Sequence, residues 1–74
     1  MKRIFEIYVA GSHGFSVYVS TTKPINDIEE DILNLAVTAK VIDGGDAKDV
    51  FHAAGYVEER QAAEVHAGTP ITEI

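Results

Sequence analysis

The sequence predicts a small α+β domain over residues 1–74. An N-terminal antiparallel β-hairpin packs on one long amphipathic helix, and one or two short helices follow. Whether a third strand or further helix follows those is left open by the residues. Three observations predict this class. Residues 3–9 and 15–20 alternate in polarity, a short Gly-containing segment joins them, and residues 27–42 carry an apolar stripe at helical spacing.

In "RIFEIYV", Phe5, Ile7 and Val9 point one way and Ile4, Glu6 and Tyr8 the other. "FSVYVS" repeats the scheme, with Phe15, Val17 and Val19 on one face and Ser16, Tyr18 and Ser20 opposite. β-Branched and aromatic residues dominate both runs. The intervening "GSHG" reads as a turn, in which Gly11 and Gly14 supply positive φ. Ser12 and His13 are adjacent in that turn, so they lack the facing geometry of a nucleophile and its base. The Gly-x-x-Gly spacing also occurs in KH domains, but there it joins helices and grips nucleic acid.

Pro24 disfavours helix just before it, and Asn26 or Asp27 then caps one, with Glu29 or Glu30 completing a capping box. Glu29, Glu30 and Asp31 suit the positive end of the helix dipole, and Lys40 suits the negative end. Ile28, Ile32, Leu35, Ala36, Ala39 and Ile42 form the stripe that faces the hairpin. After "DGGD", Asp46 caps a short helix buried through Ala47, Val50, Phe51 and Ala54, with Gly55 as its left-handed stop. "YVEER" reads as a strand near Tyr56–Glu59 followed by a helical turn or two, or else as the start of a helix running to Gly68. "TPITEI" reads as a last extended segment.

Composition narrows the function classes. The chain has no cysteine, which excludes disulfides and thiolate zinc sites. No apolar run approaches the roughly 20 residues of a membrane helix, and no secretion signal is evident, so a soluble, cytoplasmic protein is expected. Residues 26–74 hold eleven acids against Lys40, Lys48 and Arg60, while residues 1–25 are net positive; the total is −6. Direct nucleic-acid and anionic-membrane binding are therefore disfavoured, and a protein with a basic surface is the favoured partner.

Asp43, Asp46, Asp49 and His52 recur at threes, which is not the spacing of a calcium loop. His52 and His66 read as helix-surface residues. No metal site, cofactor or catalytic residue is expected, and the chain does not read as an enzyme. The helix–glycine–helix look of residues 49–65 is countered as a DNA reader by Glu58, Glu59 and Glu64. Tyr8 and Tyr18 share the sheet face away from the core, where tyrosine suits a partner or a second copy of the chain.

The strand start "MKRIFEIYV", the Gly-rich turn, "DIEEDILNLAV" and the acidic C-terminal half resemble, in general build, the small acidic phage-encoded inhibitors of the anti-CRISPR type. That resemblance implies non-enzymatic inhibition, in which acidic side chains occupy the basic groove of a nucleoprotein defence complex. The acids expected to meet such a partner are Glu29, Glu30, Asp31, Asp49, Glu58 and Glu59, with Tyr8 and Tyr18 as the apolar contribution. A homodimer or larger homo-oligomer, acting as a structural or adaptor protein, is the alternative expectation.

Overall fold

A computed structural model describes residues 1–11 and 13–74. Strands β1 (Arg3–Val9) and β2 (Phe15–Thr21) pair antiparallel, with Phe5 opposite Val19, Ile7 opposite Val17 and Val9 opposite Phe15. The chain then forms α1 (Ile28–Thr38), α2 (Gly44–Asp49) and a wide π-type turn at Val50–Ala54. Strand β3 (Tyr56–Arg60), a 3₁₀ turn at Ala62–Glu64 and strand β4 (Ile71–Glu73) complete it. The sheet order is β3-β1-β2-β4. β3 is antiparallel to β1, and β4 is parallel to β2, so the sheet is mixed.

The hairpin prediction fixes which face is dry. Phe5, Ile7, Val9 and Val19 are fully buried against Ile32, Leu33, Ala36, Ile42, Ala47 and Val50. Val57 of β3 and the terminal Ile74 pack on the same cluster. Each large apolar side chain sealed there contributes about 1.5–3 kcal/mol.

Several expectations are corrected. The helix predicted to reach Ile42 ends at Thr38, because Lys40 turns into the left-handed region (φ 61°) and the Val41 N–H donates to the Ala36 carbonyl at 2.8 Å. Leu33, absent from the predicted stripe, is in the core; Leu35 is half-buried and Ala39 exposed. Asp27 is the cap, accepting from the Glu30 N–H, but Asp31 rather than a glutamate closes the reciprocal side by accepting from the Asn26 and Asp27 N–H groups. Asp43, not Asp46, caps α2, accepting from the Asp46 N–H at 2.7 Å.

Phe51 and Ala54 are exposed, and Ala53 (φ 63°) makes the left-handed stop assigned to Gly55. Gly55 is extended, and a Cβ there would strike the Tyr8 carbonyl, so glycine serves close approach rather than turning. Gly14 likewise lacks positive φ; its missing side chain makes room for the Tyr8 hydroxyl. Phe15 lies on the core face but at its end, 41% exposed. The third strand is formed, and the "TPITEI" segment supplies a fourth.

Candidate functional site

The two sides of the sheet carry different chemistry. Both α-helices pack on the face of Phe5, Ile7, Val9 and Val19. Strand alternation and the pairing registers place Ile4, Glu6, Tyr8, Ser16, Tyr18, Ser20, Tyr56, Glu58, Arg60, Ile71 and Glu73 on the other. At the centre of this outer face lies Glu6, whose residue is 8% exposed. A buried carboxylate must be paired and hydrogen-bonded, and Glu6 is both. The Ser16 hydroxyl donates to one oxygen at 2.8 Å, and the Arg60 Nε donates to the other at 3.0 Å. Arg60 also reaches Glu58 at 2.7 Å. Beside this network the Tyr8 and Tyr56 rings stack, with centroids 5.2 Å apart and planes 21° from parallel. Desolvation, with the Glu6 carboxylate nearby, raises the Tyr56 phenol above its ordinary pKa.

Tyr8 and Tyr18 are brought to one face as expected, but as diagonal rather than direct neighbours. Tyr8 stands opposite Ser16, and Tyr18 stands opposite Glu6 and Ile71. Tyr56, the direct partner of Tyr8 on β3, was not singled out by the sequence. The signal for it existed: once "YVEER" is a strand, its aromatic falls on the same alternating face as Glu58 and Arg60.

The six predicted acids are not gathered into one patch. Glu58 faces outward with Arg60, whereas Glu59 points to the helix side, where Arg3 holds it through two hydrogen bonds of 2.9 Å. That contact keeps the Glu59 carboxyl below the usual carboxylate range. Lys2 holds Glu73 at 2.8 Å with the same effect. Asp49 lies by Gly11 at the hairpin turn, while Glu29, Glu30 and Asp31 open α1 after the far end of β2. A seven-residue strand, about 20 Å, separates those two ends.

Acids nevertheless concentrate in the helical layer. Residues 27–49 carry Asp27, Glu29, Glu30, Asp31, Asp43, Asp46 and Asp49 against Lys40 and Lys48. Among the described residues, none of the seven is in an ion pair, although Asp27, Asp31 and Asp43 cap helix ends. The sheet's acids, by contrast, are each matched by Arg3, Arg60 or Lys2.

His13, His52 and His66 are exposed, on three separate segments; Ser12 lies outside the described residues. Among the described residues, no three histidine, cysteine, aspartate or glutamate side chains are grouped as a metal site would require. Among the described residues, no helix is long and apolar enough to cross a membrane. The comparisons add no relative: no family model, curated protein or solved structure matches the chain.

Proposed function

We propose that this chain is a non-enzymatic protein-binding module whose acidic helical layer docks on a basic protein surface, of the kind a nucleoprotein complex offers to nucleic acid. The observation that carries this reading is the segregation of charge. Carboxylates of the sheet are satisfied within the chain, whereas those of residues 27–49 meet no cation among the described residues. Their field extends about 10 Å at 0.1 M salt, enough to steer a cationic partner into encounter. Glu29, Glu30 and Asp49 would make the direct contacts, and the capping aspartates would add fixed negative charge. An inhibitor built this way blocks by occupancy and needs no reacting group.

Affinity capture from a bacterial lysate at low salt, with identification of retained proteins, tests it. The expected result is a basic protein or nucleoprotein complex that elutes as salt rises. Retention of nothing basic, or binding indifferent to salt, contradicts it.

A second reading is favoured by one observation: Tyr56 and Ile71, on the sheet face without α-helices, are 38% and 40% exposed. Self-association through that face would bury them. Light scattering that finds only monomer at high concentration removes this alternative.

A further inference from the structure

Strand β2 is covered along only part of its outer edge. In a strand, alternate residues direct their N–H and C=O groups to the same side. Ser20 directs its carbonyl to β4, accepting from the Ile74 N–H at 2.8 Å. Tyr18 and Ser16 therefore face the same side. β4 pairs with Tyr18, Val19 and Ser20 and stops there, because the preceding residue is Pro70, which has no N–H to donate. Among the described residues, the outward N–H and C=O of Ser16 consequently meet no strand.

A groove of about 440 Å³ adjoins this stretch, walled by Val17, Tyr18, Val41, Pro70 and Thr72, with Lys40 as its single charged residue. Elsewhere the edges are guarded. β3 carries Glu58, Glu59 and Arg60, and β4 ends in Glu73 paired with Lys2. Charged side chains on an edge deter further pairing, and Phe15–Val17 has none.

From this we infer that the β2 edge at Phe15–Val17 accepts an extended peptide segment of a partner protein, with an acidic residue set against Lys40. The backbone edge at Ser16 supplies the main-chain bonds of strand addition. The apolar walls receive alternate side chains. Lys40, whose ammonium is in no ion pair among the described residues, supplies charge complementarity. The chain already uses this edge the same way, through β4. The site borders the helical layer at Lys40 and Val41 but uses none of its carboxylates, and its test is separate from that of the function proposed above.

The test is amide chemical-shift titration of the full chain with a capped pentapeptide, Glu-Val-Thr-Val-Thr. Saturable shifts are expected at Ser16, Val17, Tyr18, Lys40 and Val41. N-methylating the peptide's central amides should abolish them. Replacing its glutamate by glutamine, or making Lys40→Ala, should weaken binding about threefold, the size of an exposed ion pair. The peptide changes leave the protein untouched, so a folding defect cannot imitate the result. Absence of saturation at millimolar peptide, shifts confined to another surface, or equal binding by the N-methylated peptide would overturn the inference.

Discussion

On the helix side of the sheet, residues 27–49 hold seven carboxylates against two lysines, with no ion pair among the described residues. On the outer face, Glu6, Glu58 and Glu73 are held by Arg60 and Lys2 at 2.7–2.9 Å. The sheet face uses charge for internal structure, around a carboxylate that burial forces to be paired. The helical layer uses carboxylates as caps or leaves them to solvent, where stability asks little of them. Acidity thus has two settings among the described residues, paired with a cation on the sheet and without one in the helical layer. The apolar side chains divide in the same way. The dry face carries the core, and the outer face carries tyrosines whose hydroxyls tolerate water.

The largest expected effect breaks the dry side. Leu33→Ala should cost about 2–5 kcal/mol in urea unfolding, and Leu35→Ala about 1 kcal/mol or less, since Leu33 is fully buried and Leu35 half-buried. Equal losses would mean the helix is rotated from its position here. Next comes Gly55→Ala, which forces a Cβ into the Tyr8 carbonyl and should cost about 1–3 kcal/mol. A neutral result would show that β3 does not approach β1 so closely.

A smaller loss is expected from Glu6→Ala, which leaves the Ser16 hydroxyl without its acceptor and Arg60 with Glu58 alone. Its urea midpoint should fall, whereas that of Glu30→Gln, in the helical layer, should not. Matching changes would erase the distinction between the faces.

The smallest effect is that of pH. Glu59 and Glu73 titrate below the ordinary 4.5 in the folded chain because Arg3 and Lys2 hold their charged forms. A depressed carboxylate contributes stability that is present above 4.5 and lost as pH falls through the lowered value. The midpoint should therefore decline below pH 4.5, and less so in a Lys2→Gln/Arg3→Gln variant. Parallel profiles would deny these two pairs any role in that decline.

Local pattern carried much of this fold into view. Strict alternation at Phe5–Val9 and Phe15–Val19 marked the hairpin and its core face, though not its register, and Asn26 or Asp27 followed by Glu29, Glu30 and Asp31 marked the start of α1. The end of α1 was hidden, because a left-handed lysine at position 40 leaves no compositional trace as glycine would. Leu33 was hidden because the predicted stripe continued to Ile42 and so favoured Leu35 and Ala39. Parallel pairing of Ile71–Glu73 with β2 joins residues some fifty positions apart, which no local window reports. At the candidate site, Tyr8 and Tyr18 could be placed on one face from alternation alone. The Tyr56 stack and the sequestering of Glu58 and Glu59 by Arg60 and Arg3 required the β1–β3 register.

The most direct test compares two variants that each remove two negative charges, Glu29→Gln/Glu30→Gln in the helical layer and Glu58→Gln/Glu59→Gln on β3. Each is titrated with polylysine at low salt by fluorescence. The helical pair should lose about fivefold or more in affinity, and the strand pair distinctly less, because its carboxylates already serve Arg60 and Arg3. Equal losses, or a larger loss for the strand pair, would contradict the assignment of partner binding to the helical layer.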